Sequence, residues 1–274
     1  MAAQRRPRDD GDFNMAYLFP DEVAALRSAT GLVILPLAPI EWHGPHLAMG
    51  CDPLLAHAFA RRLASALSCP YFPPLYVGTG RERRPETLAS LGFNSTDYVE
   101  GMDFPANSVQ SAYLKEEVFS TIVRGTVDAL FDRMKFSRIV IVNGHGADNQ
   151  RATLDRLCRE YNASDTARIM WVYPGFPRSL IAGSIGHATA EETSMLSAMW
   201  PYCVDLTRLP AKGPLPNTRY AIVDGDTFDG SPTPDFTVRS EQDPRQHTDS
   251  AMGARYIDEA LAETVAEIRE KLLK

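Results

Sequence analysis

Three short apolar runs constrain this chain more than anything else in it. "GLVILPLAPI", "SRIVIVNGHG" and "ARIMWVYP" are rich in β-branched and aliphatic residues, lack a polar-apolar alternation, and are each followed by a loop or turn. Continuous apolar strands of this kind belong to sheets buried on both faces. Amphipathic helical segments lie between and after them: "LFPDEVAALRSA", "DPLLAHAFARRLASAL", "LKEEVFSTIVRGTVDALFDRM", "DNQRATLDRLCREYN", "TAEETSMLSAMW" and a closing "SAMGARYIDEALAETVAEIREKLLK". "CPYFPPLYVG" reads as a further strand. Alternating strands and helices predict an α/β fold with a parallel or mostly parallel sheet covered on both faces.

Residues 1–15, charged and proline-bearing, are expected to form a disordered lead-in. Residues 16–274 then make a single domain, a size that 44% hydrophobic and 23% charged residues in 274 can fill with one core. Two stretches, 78–112 and 207–247, are rich in Gly, Pro and charge and read as long functional loops or subunit contacts. A formal net charge of −7 argues against nucleic acid as a partner. The sequence shows no secretory h-region and no apolar run long enough for a bilayer, so no membrane partner is expected and a cytoplasmic location is. The four cysteines are scattered without a CxxC pair, which fits reduced thiols. Cys51 reads as a buried thiol, with a thiolate ligand as the alternative.

The chemistry concentrates where strands end. "LPLAPIEWHGPHLAMGCDP" leaves an apolar run and brings Glu41, His43, His46 and Asp52 together within a short loop. Glu41 and His43, two apart, project to one side of an extended segment while Trp42 projects to the other. Asp52 is placed to cap the next helix, with Pro53 at its first position. His145 lies in "NGHG" after another strand, between Gly144 and Gly146, where the backbone can turn sharply. "HATAEETS" adds His187 and one of Glu191 or Glu192, since neighbouring helical residues diverge and both cannot face one point. Ligands gather outside the carboxyl ends of such strands, and mixed Glu, His and Asp donors suit zinc, manganese or iron. His57 and His247 read as packed or solvent-facing.

"LPLAPIEWHGPHLAMGCD", "IVNGHGADN" and "HATAEETSMLSAMWP", in that order, resemble the three signature blocks of the creatininase family. "GMDFPANSV" is similar to that family's Phe-Pro-Gly-Thr segment, and "DPRQHTDSAMGARYIDEAL" is weakly similar near the end. The resemblance covers the chain from about residue 20. It implies a three-layer α/β/α sandwich and a metal-dependent hydrolase acting on cyclic amides or N-acyl groups. Assembly as a homo-oligomer, a hexamer among the options, is also implied. It implies Glu41, His43, Asp52, His145 and Glu192 as ligands of one or two divalent ions, Asp52 bridging, and so selects Glu192 over Glu191. His187 matches the histidine that moves protons.

Ala147 departs from the pattern: a glutamate that helps hold the second ion in creatininase itself stands two residues after the "NGH" histidine. Creatinine is therefore not the expected substrate. The expected reaction is attack of a metal-bound hydroxide on an amide or cyclic C–N bond of a small polar metabolite, with His187, titrating near neutrality, protonating the leaving nitrogen. The alternative keeps the same hydroxide but opens a cyclic keto-polyol such as 3-dehydro-scyllo-inosose by C–C cleavage. A third reading is a non-catalytic metal-binding oligomer. Arg81, Arg83 and Arg84 in "TGRERRPETL" are candidate clamps for an anionic or polyhydroxylated substrate. Asp148 is either a contact to His145 or substrate, or a helix cap.

Overall fold

The computed structural model describes residues 13–163, 167–181, 185–228, 230 and 236–273. Three of the expected strands form as β1 (Leu32–Leu37), β2 (Arg138–Asn143) and β3 (Arg168–Val172), paired in parallel in that order. Leu37 lies opposite Asn143, so the loops leaving β1 and β2 start at the same edge of the sheet.

The main helices are α1 (Pro20–Thr30), α2 (Cys51–Leu67), α3 (Glu116–Asp128), α4 (Asp148–Asn162), α5 (Ala190–Met199) and α6 (Ser250–Lys271). Each strand sends alternate residues to opposite faces, as its pleat requires. Leu32, Ile34, Val140, Val142 and Val172 join Leu63 and Phe59 of α2, Met195 of α5 and Ile257 of α6 in one core. Val33, Leu35, Leu37, Ile139, Ile141 and Ile169 join Phe119 and Val123 of α3 and Leu154 and Leu157 of α4 in the other. Helices on both faces make the three-layer arrangement. Full burial contributes roughly 1.5–3 kcal/mol for each such side chain, which explains why these strands carry no polar face.

The expected strand in "CPYFPPLYVG" does not form as a ladder. Tyr71 bridges Ile34 and Leu75 bridges Leu37, each as an isolated parallel bridge beside β1. Pro70, Pro73 and Pro74 supply no N–H, so the segment touches the sheet edge without continuing along it. Of the N-terminal lead-in, residues 1–12 lie outside the described residues. Residues 13–15 are tied down: Met15 N–H donates to Tyr71 O at 2.9 Å, and Asn14 caps a short 3-10 helix over Met15–Tyr17.

The long excursions 78–112 and 207–247 meet in a small third cluster. Leu88, Val99, Met102 and Phe104 from the first pack with Ala221 and Val223 from the second and with Trp42. Trp42 thus anchors the loop after β1, while its neighbours Glu41 and His43 turn to the other side. Among the described residues, no helix is long and apolar enough to cross a membrane.

Candidate metal centre

Asp52 sits in the first turn of α2, not at its cap; Gly50 occupies the cap position. The helix therefore starts two residues earlier than the Asp-Pro pair suggests, and the Asp52 carboxylate is released from capping its own helix. It turns inward, 4% exposed, and gives one oxygen to each of two histidines. Oδ1 lies 2.9 Å from His43 Nε2 and Oδ2 lies 3.1 Å from His145 Nδ1. Glu41 Oε2 stands 3.1 Å from the same His145 nitrogen and 3.9 Å from His43 Nε2, and Glu192 Oε2 stands 4.0 Å from His43 Nε2.

The cluster divides around Asp52 into two halves, one with Glu41 and His145, the other with His43 and Glu192. Glu191, in contrast, accepts a hydrogen bond from the Thr189 hydroxyl at 2.7 Å.

Three histidines have one ring nitrogen fixed by a backbone carbonyl. His43 Nδ1 lies 3.2 Å from Glu41 O, His145 Nε2 lies 3.2 Å from Thr79 O, and His187 Nε2 lies 2.8 Å from Trp42 O. A carbonyl only accepts, so each of these nitrogens carries the hydrogen, and the other nitrogen of each ring is left for a ligand or proton. His145 is further set by Asn143, whose amide donates to His145 O at 2.8 Å and whose Oδ1 accepts from Gln150 Nε2 at 2.7 Å. Gly144 permits the approach of this turn to α2: a Cβ there would fall 2.5 Å from Asp52 O. Gly146 has open space around it and no such requirement.

The buried charges hold one another. Burial opposes protonation of His43, but Asp52 outweighs it, with Glu41 and Glu192 adding, and the pKa rises to about 10. His145 is likewise opposed by burial and carried to about 10 by Glu41 and Asp52. Burial pushes the carboxyl pKa of Asp52 up, yet the two imidazoles reverse this and hold it below the usual carboxylate range. The same contest, with His145 as the chief partner, lowers Glu41. Glu192 is raised to about 7, chiefly by burial.

His187 does not titrate near neutrality in this state. Burial, with the adjacent His43 charge, lowers its pKa to about 3. Its ring lies 4.2 Å from that of His43, and its backbone pairs with Val223, His187 N–H donating to Val223 O at 2.6 Å. The turn that follows places Ala188 at φ +57°, a conformation L residues rarely adopt, and Glu192 Oε2 accepts the Ala188 N–H at 2.6 Å.

The donor set fits divalent metal. His43 Nε2 is fully enclosed and makes no well-directed hydrogen bond, although Asp52 Oδ1 is close. Nitrogen and oxygen lie side by side without facing each other, as ligands sharing an ion do. Donor atoms of Glu41, Asp52 and His145 lie within 4.8 Å of one another, as do those of Glu41, His43 and His187 and those of His43, Cys51 and Asp52.

The remaining candidates separate. Arg81 pairs with Glu116 on the surface at 3.1 Å, and Arg84 is exposed at the cap of a short helix, Pro85–Ser90. Arg83 is half-buried and donates to Gly101 O at 2.8 Å, so the three arginines do not converge. Asp148 is 81% exposed in its side chain and pairs with Arg151; Ala147 holds the cap position of α4.

Sequence reasoning missed Tyr113, whose hydroxyl donates to Glu41 Oε1, and Thr79, the partner of His145. His46, gathered in the sequence with the other donors of its loop, instead has Nε2 3.1 Å from Thr193 Oγ1 and so links the Glu41 loop to α5. His57 is packed, with Nε2 3.3 Å from the Tyr71 hydroxyl, and His247 is exposed.

A carboxylate shared between histidines, set at the carboxyl edge of a parallel sheet, is an arrangement suited to a metal-dependent enzyme of the α/β class. The chain belongs to the creatininase family: the family profile, described as creatinine amidohydrolase, matches residues 16–268. The creatinine amidohydrolase of Pseudomonas putida is 24% identical over 197 residues, covering 65% of this chain and 68% of its own. A manganese creatininase structure shares the fold with a TM-score of 0.67 at 20% identity, covering 96% of this chain and 100% of that one. A variant creatininase of the Zn–Zn type gives 0.66 at 21% identity over 96% and 99%.

Proposed function

We propose that this protein hydrolyses an amide or cyclic C–N bond of a small polar molecule, using divalent ions held by Glu41, Asp52 and His145 in one half of the centre and by His43, Asp52 and Glu192 in the other. One observation carries the reading: Asp52 divides its two oxygens between two histidines whose other ring nitrogens are already committed to carbonyls. Bound ions would polarise a carbonyl and lower the pKa of coordinated water from ~16 to ~7.

The residues themselves orient the reaction and handle its proton. Glu41, Asp52 and Glu192 bring negative charge that divalent ions neutralise. His187 stays neutral and keeps Nδ1 free, because Nε2–H is held by Trp42 O. It therefore begins as a proton acceptor at Nδ1 and returns the proton to the leaving nitrogen. Burial of His43, His145 and His187 limits bulk water around the transfer. Arg83 is the substrate contact favoured among the three arginines, since its half-buried position lies near enough for Glu41 and Tyr113 to act on its charge.

The test is a turnover screen of metal-loaded protein against cyclic ureides, N-formyl compounds and keto-polyols. Hydrolysis of a C–N substrate supports the proposal; ring opening of the keto-polyol alone would reassign the bond that is cleaved. A homo-oligomer, as the family resemblance implies, is part of the proposal, and a monomer in sedimentation would remove it.

A further inference from the structure

The segment Ser111–Tyr113 runs as a strap along the ligand-bearing segment Ile40–Trp42. Ala112 N–H donates to Ile40 O at 2.8 Å, and Trp42 N–H donates to Ser111 Oγ at 3.0 Å. Ser111 in turn donates through its hydroxyl to Asp103 Oδ1 at 2.6 Å. Tyr113 completes the strap with its hydroxyl on Glu41 Oε1.

The direction of that bond follows from proton count. Met102 N–H donates to the Tyr113 oxygen at 3.1 Å, so the phenol's single proton is directed to the carboxylate, which only accepts. Glu41 is thereby divided: Oε1 is held by Tyr113 and Oε2 is left facing His145 Nδ1 at 3.1 Å. The phenol ring lies in a cradle made for it. A Cβ on Gly101, at φ +56°, would fall 2.5 Å from the Tyr113 hydroxyl oxygen, and one on Gly80 would fall 2.7 Å from a ring carbon. Its ring centroid is 5.9 Å from that of His145.

We propose that Tyr113 is a positioning residue for the Glu41–His145 half of the metal centre, fixing which Glu41 oxygen faces the ion and so setting the affinity of that half separately from the His43–Glu192 half. The proposal rests on the metal reading above. Hydrogen-bond partners that orient ligating side chains are worth about 10–100-fold in metal affinity. Tyr113 follows directly on the excursion 78–112, so the end of that excursion also tunes one of the two halves.

The test is a manganese titration of metal-free wild type and Tyr113→Phe, read by equilibrium dialysis and electron paramagnetic resonance, with Ser111→Ala as control. Phenylalanine keeps the ring in its glycine cradle and removes only the hydroxyl. One of two binding steps should weaken about 10–100-fold while the other holds. At equal metal loading, the spin-coupled pair signal should give way to that of isolated manganese, and Ser111→Ala should retain both steps.

Unchanged steps in Tyr113→Phe would overturn the proposal, as would equal weakening of both. So would the same loss in Ser111→Ala, or a fall of more than a few degrees in the metal-free thermal midpoint of Tyr113→Phe, since either marks a structural role. Wild type that binds no manganese, or Glu41→Gln that keeps both steps, would instead remove the underlying metal reading.

Discussion

His43 Nε2 and Asp52 Oδ1 lie 2.9 Å apart, fully enclosed, without forming a well-directed hydrogen bond. The pair belongs to the half of the centre that holds His43 and Glu192, and Asp52 is the residue both halves share.

Substitution at the shared residue should therefore differ from substitution at one side. Asp52→Asn is expected to lose metal from both halves, and His43→Ala from one. Elemental analysis after dialysis against zinc checks this: about two ions per chain in wild type, about one in His43→Ala and near zero in Asp52→Asn. Equal retention in both variants would remove Asp52 from the centre.

Metal binding should release protons. In the metal-free protein, His43 and His145 have pKa values raised to about 10 and are protonated near neutral pH, whereas ligand histidines have to be neutral. Calorimetry in buffers of different ionisation heat should report about two protons released per chain on full loading. Affinity should fall as pH is lowered. A pH-independent affinity between pH 6 and 8 (roughly the range of working buffers) would contradict the raised pKa values.

The same shifts set the stability of the metal-free protein. Raised histidine pKa values contribute stability that is fully present below the unfolded value of 6.5 and lost as pH rises through about 10. Glu192, an acid raised from 4.5 to about 7, acts in the same direction over its own range. Asp52 and Glu41, both lowered, contribute stability that is lost as pH falls below their unfolded values. Thermal melts of metal-free protein should decline from pH 6.5 toward 10, and the rise in midpoint on adding metal should grow over that interval.

His187→Ala should leave metal content intact while lowering kcat by about 10²–10⁴, the range for loss of a positioned acid–base group. Because burial lowers the His187 pKa to about 3, the acidic limb of the rate profile in the neutral range should come from other groups. Wild-type turnover in the variant would deny His187 the proton transfer.

Gly144→Ala tests the approach of two elements. The added Cβ would meet Asp52 O at 2.5 Å, and either β2's turn or the start of α2 must shift. A loss of about 1–3 kcal/mol in denaturant unfolding is expected, with weaker metal binding in the same variant.

Much of this is legible in the sequence. Continuous apolar runs mark β1, β2 and β3, because strands buried on two faces have little freedom to be anything but apolar. The spacing of Glu41 and His43 gave their common direction. Prolines hid in plain view: "CPYFPPLYVG" is apolar enough for a strand, yet three positions lack the N–H that a ladder needs. The Asp-Pro pair points to Asp52 as a cap; Gly50 takes that place, and the carboxylate faces the histidines. Tyr113 was illegible because it meets Glu41 from 72 residues away, and neither residue carries a local pattern that announces the other. The neutral state of His187 depends on burial and on the neighbouring His43, which only the packed structure supplies.

The bridge between His187 and Val223 ties His187, the proposed proton carrier, to the second excursion, whereas Glu41 and His145 hang from the ends of β1 and β2. Glu41 and His145 thus come to the centre from the sheet edge, whereas His187 and Glu192 come to it together from the stretch that opens α5. A change in residues 207–247 therefore reaches the centre through the His187 backbone, while a change at the ends of β1 and β2 reaches it through Glu41 and His145.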